Sequence, residues 1–428
     1  MSSRNRIRTA VGALLAALAV LCARRAGAVD LWSADQGPGR LVLQGGAKWS
    51  GLAAYAPEDR ELYPQRLSGL GLFRLRLGLQ YAASEMLDAE VAYEQSLRWT
   101  SHDSGAAGGG MALPAQAEPP YRIRPGYDDI LDRDRVTVHH ELDRALFALH
   151  PTWGEVVVGR QAVGLGRGVL FSAVDMFAPF SPLEVDREWR RGVDAVRTEV
   201  RLSPTSSATA FAVFGEDWER SAAFVRLRGY VGTMDAALLA GKRAEDEFAA
   251  LVVSSAVADA EVHAELAAFR VPDPHPDGGV LSNDRVLAKG VLGASYTFDV
   301  GRGLTVLGEV HHSGFGVADT DELSRRFAAP ALQERLLRGD MQIIGRWALG
   351  LQVSYPVSDV VSVSCSLVEN PSDGSGMASP SVEWFATENT TVSVTGFLPW
   401  GRGPEDGELR SEYGGSPHSL FAQVALYF

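Results

Sequence analysis

PHSLFAQVALYF, residues 417–428, alternates in one register: Leu420, Ala422, Val424, Leu426 and Phe428 form a single apolar row. Successive side chains of a β-strand point to opposite faces, so this row covers one face while Phe421, Gln423, Ala425 and Tyr427 cover the other. The same period recurs upstream. Over 72–81, Phe73, Leu75, Leu77, Leu79 and Tyr81 oppose Arg74, Arg76 and Gln80. Over 87–99, Leu87, Ala89, Val91, Tyr93, Leu97 and Trp99 oppose Asp88, Glu90, Glu94 and Arg98. Over 342–355, Ile343, Trp347, Leu349, Leu351, Val353 and Tyr355 oppose Gln342, Arg346, Gln352 and Ser354. Residues 361–368 alternate Val and Ser around Cys365. A two-residue period at so many places is the signature of a chain built from strands.

The pattern predicts eighteen strands: 40–54, 70–82, 87–100, 135–148, 155–164, 193–202, 208–216, 222–231, 235–243, 247–256, 260–270, 286–298, 303–314, 342–355, 359–369, 377–386, 390–400 and 418–428. Sixteen is the alternative, since 40–54 and 235–243 carry the weakest alternation. Every second connection is short, and all the long ones (101–134, 165–192, 271–285, 315–341, 401–417) fall between them. One rim of short turns and one of long loops suits an antiparallel barrel closed in a membrane, with the turns on the periplasmic side. A soluble sandwich gives no reason for unequal rims. A propeller needs repeats of roughly 40–50 residues, and none is visible.

Composition agrees. The chain is 46% hydrophobic, yet after its first 28 residues no apolar run approaches the length of about 18–20 that a spanning helix needs. Strands closed on themselves pair every backbone group within lipid. Arg4, Arg6 and Arg8, the apolar run 10–23 and Ala26-Gly27-Ala28 read as an export signal cleaved after Ala28, leaving 29–428 as one domain. Cys22 follows Leu21 rather than a small residue, which argues against a lipid anchor, and Cys365 is then the sole cysteine, unable to form an internal disulfide. The net charge of −13 argues against polyanion binding, nucleic acid included.

If the apolar rows face lipid, the opposite rows line a lumen, and a barrel of about 16–18 strands is wide enough to hold water. The candidate lining residues are Arg74, Arg76, Glu90, Glu94, Arg160, Arg197, Glu199, Arg201, Arg226, Arg228, Glu261, Glu265, Glu309 and Arg346, with Asp88, Arg98, Glu141 and Asp143 on the same rows. Singly, each reads as half of a cross-strand ion pair; together they set the field of a pore.

The final strand resembles that of bacterial outer-membrane β-barrel proteins, in which a terminal Phe belongs to the signal read by the barrel-insertion machinery. A second resemblance lies in 158–197. Gly159-Arg160-Gln161, the Gly-rich turn 164–168, the Asp-x-x-x-Pro-x-x-Pro loop from Asp175 to Pro182, and Arg190 through Arg197 follow in that order. This order is similar to that of porin-like outer-membrane proteins. The resemblance implies an outer-membrane barrel in Gram-negative bacteria and transport, without naming a solute.

The connection 165–192 is too apolar to lie wholly in water. Phe171, Phe177 and Phe180 stand beside Asp175, Asp186 and Glu188. The expectation is that it folds into the lumen and narrows it, these six residues forming the constriction. Gly164-Leu165-Gly166 lacks the Lys and helix of a phosphate loop. His311 and Ser313, with Glu309 on the same face, have the spacing of a barrel lipase, but no acyl pocket or oxyanion donors are legible. His139-His140 and His311-His312 each put neighbouring rings on opposite faces, unsuited to chelation. No catalytic, metal or cofactor site is expected. The reading is a porin-like outer-membrane channel for passive diffusion of small hydrophilic solutes, with lipid, insertion machinery and solute as partners and an oligomer possible. The alternative is a non-channel barrel for export or assembly of a surface polymer, or a structural surface protein.

Overall fold

Side chains that alternate between apolar and polar build a wall, and the computed structural model closes that wall completely. It describes residues 28–34, 39–101, 120–124, 126–319, 322–327 and 329–428. Residues 1–27 of the expected leader, Cys22 among them, and residues 102–119 of the long connection 101–134 lie outside the described residues.

The wall strands are β2 (Arg40–Tyr55), β3 (Leu67–Ser84), β4 (Leu87–Thr100), β6 (Val136–Leu149), β7 (Gly154–Gln161), β8 (Val193–Ser203), β9 (Ser206–Val213), β10 (Ala222–Val231) and β11 (Met234–Arg243). They continue as β12 (Asp246–Val257), β13 (Ala260–Arg270), β14 (Val286–Phe298), β15 (Leu304–Ser313), β16 (Trp347–Pro356), β17 (Val361–Asn370), β18 (Ser375–Thr387), β19 (Thr390–Trp400) and β20 (His418–Tyr427). Each pairs antiparallel with its neighbours, and β20 returns to β2 from Gly46↔Tyr427 to Tyr55↔His418, closing an eighteen-stranded barrel. All eighteen expected strands are present.

Two further strands mend the wall. β1 (Val29–Ser33) pairs with Arg40–Leu43 of β2, the part of that edge β20 does not reach. β5 (Tyr127–Arg133) pairs with Val136–Glu141 of β6, whose remaining length is taken by β7 from Ala145 to Leu149. Two short helices, α1 (Leu323–Phe327) and α2 (Pro330–Leu337), sit in the β15–β16 connection.

The outer surface is apolar, with Trp49 70% and Leu420 55% exposed, and Val424 and Leu426 on the same band. Phe428 lies on Gly45 and packs with Leu75; a Cβ on Gly45 would stand 2.6 Å from the Phe428 ring, so the glycine makes its seat. The short-turn rim joins strands by two to five residues, for example at Gly232, whose φ of +64° favours glycine.

The interior departs from the expected polar lining. In the long-loop half of β9–β13, inward rings form a continuous train: Phe211 stacks on Phe224 at 4.5 Å, Phe224 meets Phe177 and Phe248, and Phe248 leads through Phe269 to Phe315. The partner surface is supplied by the 162–192 connection, which gives these rings something apolar to bury against.

One expected boundary is corrected. β16 begins at Trp347, and 342–346 belongs to the interior connection. Ile343, expected outward, is buried in the core, and Arg346 is on no strand: it donates to the carbonyls of Gly316 and Asp277. The cause is Glu412, which accepts from the N–H groups of Ile344 and Gly345 and so pulls this stretch out of the wall.

Candidate functional site: the narrowed lumen

Two wall carboxylates position the internal connection. Glu265 of β13 accepts from Arg167 N (2.5 Å) and Gly168 N (2.8 Å) on one oxygen, and from Ser172 Oγ (2.7 Å), Ala173 N (2.7 Å) and Val174 N (3.2 Å) on the other. Glu309 of β15 accepts from Val169, Leu170 and Phe171 and contacts His263 Nε2 at 2.9 Å. A run of backbone N–H groups with no ladder of its own thereby finds acceptors inside the barrel, as buried polar groups require. The glycines are explained by this closeness. A Cβ at Gly166 would lie 2.2 Å from Ser172 Oγ, and one at Gly168 1.8 Å from the Phe171 carbonyl. Asp175 finishes the fold by accepting from Leu165 N and from Arg190 Nη2, at 2.7 Å each.

The far end of the connection is fastened to the opposite wall. Asp186 accepts from Lys48 Nζ (2.7 Å) and Arg74 Nη1 (3.0 Å); Glu188 pairs with Lys48 (2.6 Å) and accepts from Tyr427 Oη (2.7 Å). Trp189 lies between them with Lys48 Nζ 3.9 Å from its ring centre and the Arg74 guanidinium at 5.1 Å. Gly46 makes the space, since a Cβ there would come within 3.1 Å of the indole.

A cavity lies on each side of this clasp. Toward the long loops, one of 260 Å³ is lined by Arg74, Arg76, Glu94, Arg98, Glu141, Asp143, Trp189 and Arg191. Its charges interlock: Arg74 with Glu94 at 2.7 Å, Arg76 with Asp143 at 2.6 Å, Arg191 with Glu141 at 3.0 Å, and Arg122 with Glu141 at 2.5 Å. Toward the short turns, one of 460 Å³ is lined by Lys48, Asp186 and Glu188 together with Ser362, Ser364, Ser381, Glu383, Thr391, Ser393, Gln423 and Tyr427.

The remaining expected residues separate into groups. Arg197, Glu199, Arg201, Arg226 and Arg228 share the short-turn half of β8 and β10; Arg197 pairs with Glu155, and Arg228 with Asp235 at 2.7 Å. Glu261 is exposed toward the same rim, and Glu90 is half-buried on β4. Arg160, Glu265 and Glu309 do not face open space. Arg160 is buried against Asp194 and the carbonyls of Leu142 and Arg124, while the two glutamates lie beneath the connection they hold. Phe171 and Phe177 belong to the apolar filling rather than to the clasp, and Phe180 lies under the Arg190 guanidinium.

Lys48, Trp189 and Arg122 were missed by sequence reasoning. The available signal for Lys48 was its place on an inward row as one of three lysines in the chain. The Glu309, His311 and Ser313 set does not form a relay: Glu309 is taken by His263 and backbone, and His311 stacks on Phe171 with neither ring nitrogen bonded. Among the described residues no group of three or more His, Cys, Asp or Glu is placed to hold a metal ion.

No protein-family model and no curated protein matches the chain. Among solved structures, the barrel is similar to Acinetobacter baumannii OccAB1, with TM-score 0.52 and 8% identity over 94% of this chain and 99% of that one. It is likewise similar to a BenF-like porin from Pseudomonas fluorescens Pf-5, with TM-score 0.53 and 8% identity over 91% of this chain and 98% of that one. At these identities the likeness is one of fold.

Proposed function

We propose that the protein is a porin-like channel of the outer membrane, passing small hydrophilic solutes down their gradient through an eccentric path along β2–β6 and β17–β20. The observation that carries this reading is the pair of cavities on either side of Lys48, Asp186 and Trp189. On the other side of the barrel the aromatic train and the 162–192 connection pack the long-loop half of β9–β13, below a 710 Å³ cavity at the rim lined by Tyr121, Arg220, Glu245 and Arg338. The 162–192 connection is the constriction, and Asp186, Glu188 and Trp189 are its working edge. Export through a leader cleaved after Ala28, and insertion through the strand ending at Phe428, complete the reading.

The test is current through the refolded 29–428 chain in a planar bilayer. Deleting Phe171–Trp189 raises the conductance; an unchanged or smaller current removes the constriction. Because that deletion also strips apolar filling, Trp189→Ala serves as the gentler variant, with a smaller rise. The packed interior favours one second reading, a barrel that serves as a surface scaffold. Absence of current from folded wild type and from both variants decides for it.

A further inference from the structure

The Val-Ser alternation of 361–368 has a structural counterpart on the inner wall. Inward rows of β17, β18 and β19 set hydroxyls side by side: Ser362 pairs in register with Glu383 and Glu383 with Ser393, and one step along Ser364 pairs with Ser381 and Ser381 with Thr395. Strand geometry makes this a grid of about 5 Å across strands and about 7 Å along them. Among the described residues, Glu383 is the one Asp, Glu, Lys or Arg on the inward rows of β16–β20 within the barrel wall.

What binds in a cavity is set by the groups not already engaged. In the 460 Å³ cavity Lys48 is held by Asp186 and Glu188, and Arg187 donates to the carbonyls of Val169, Ser181, Pro182 and Glu184. Ser362, Ser364, Thr391 and Ser393 line the same space and make no side-chain hydrogen bond among the described residues; nor does Glu383. On the same grid, Ser379 Oγ is buried with no partner. Phe385 and Tyr427 line the same cavity.

We propose that this cavity is a binding site for a neutral polyhydroxylated solute, a monosaccharide or polyol, held by Ser362, Ser364, Thr391, Ser393 and Glu383. A hydroxyl both donates and accepts, so a wall of free hydroxyls matches a solute whose own groups do the same. The unpaired Glu383 carboxylate adds a strong acceptor for two neighbouring solute O–H groups and repels anions. The volume falls within the roughly 300–1,000 Å³ of small-molecule sites. The inference rests on the channel reading in making this solute a passenger, but the site opens at the short-turn end, and binding there needs no open path.

The experiment is calorimetric titration of the detergent-solubilised barrel with glucose, sorbitol, acetate and lysine. Saturable heat from glucose or sorbitol is expected, and Ser364→Val with Ser393→Val, which removes two hydroxyls while keeping residues suited to strands, weakens it at least tenfold. Ser364→Thr, which keeps the hydroxyl, retains binding. Absence of saturable heat from both sugars, tighter binding of acetate or lysine, or full binding by a folded double-valine variant overturns the proposal. In the bilayer, glucose added from the short-turn side lowers the wild-type KCl current and not that of the valine variant. Sugar binding without any current sinks the channel reading and leaves the site; current without sugar binding does the reverse.

Discussion

Glu265→Gln isolates the force that keeps the constriction inside the barrel. The wild-type carboxylate presents oxygens on both sides, two donors reaching one and three the other. A glutamine has one oxygen and one NH₂, so in either orientation at least two loop donors face another donor. Each buried donor left without an acceptor costs about 1–3 kcal/mol, and those still bonded lose the charge assistance. A working figure of about 3 kcal/mol falls wholly on the docked state, because the undocked loop is solvated. At about 1.4 kcal/mol per factor of ten, the ratio of docked to undocked loop drops on the order of a hundredfold.

Amide exchange over 165–175, followed by mass spectrometry, reads that ratio directly: protection of Gly168, Ala173 and Val174 falls by about the same factor. The wall does not suffer, because Glu265 pairs in the ladder through its backbone, facing Val252 and Val291. Exchange from β13 therefore stays at the wild-type rate. Glu261→Gln is the control, being on the same inward row, exposed and free of side-chain hydrogen bonds among the described residues. Unchanged exchange in Glu265→Gln, or an equal loss in Glu261→Gln, refutes the anchor.

Gly46→Val sets a side chain where the indole of Trp189 now lies, 3.1 Å from a Cβ, and is expected to raise single-channel conductance, whereas Gly51→Val, with nothing within 4 Å, leaves it unchanged. Lys48, Arg74, Arg76, Arg98 and Arg191 stand against Glu94, Glu141, Asp143, Asp186 and Glu188 around the clasp, five charges of each sign. The reversal potential in a KCl gradient should thus lie near zero, and Asp186→Asn with Glu188→Gln should move it toward the chloride value; a shift toward potassium contradicts the assignment. Glu412 lies outside the wall, where burial raises its carboxyl to about 7 despite the donors Ile344 N, Gly345 N and Asn370 Nδ2. Because the folded value exceeds the ordinary 4.5, the acid form favours docking of the 401–417 loop, and this contribution is lost as pH rises from 4.5 through 7. Exchange at Ile344 and Gly345, corrected for the intrinsic pH effect, should quicken over that window, and Glu412→Gln should remove the dependence.

The wall was legible because lipid and water impose opposite demands on adjacent side chains, and eighteen strands repeat the contrast. Legibility failed where that contrast is absent. Residues 208–213, Ala-Thr-Ala-Phe-Ala-Val, and 222–225, Ala-Ala-Phe-Val, are apolar on both faces, so alternation cannot tell that Phe211 and Phe224 point inward. Ile343 keeps parity with Trp347 and so reads as the same strand, although a residue 69 positions away, Glu412, diverts the chain there. β5 carries Asp128, Asp129 and Asp132 in place of an apolar row, and exists because β7 stops at Gln161 and leaves an edge to be paired.

The candidate site fails to read out for a further reason, which bears on how any such lumen is judged from sequence. An inward carboxylate counts equally in a list of lining residues whether it faces solute or backbone. Glu265 and Glu309 face backbone: the connection 165–174 turns its N–H groups toward them and spends their charge on its own docking. The residues that close the clasp between the two cavities, Lys48, Asp186, Glu188 and Trp189, come from a strand and a loop more than a hundred positions apart in sequence. Their partnership is a product of closure, since only a barrel that returns β20 to β2 brings Tyr427, Gly46 and Glu188 to one place. The field a solute meets is therefore set less by the total of inward charges than by which of them the constriction loop leaves unclaimed.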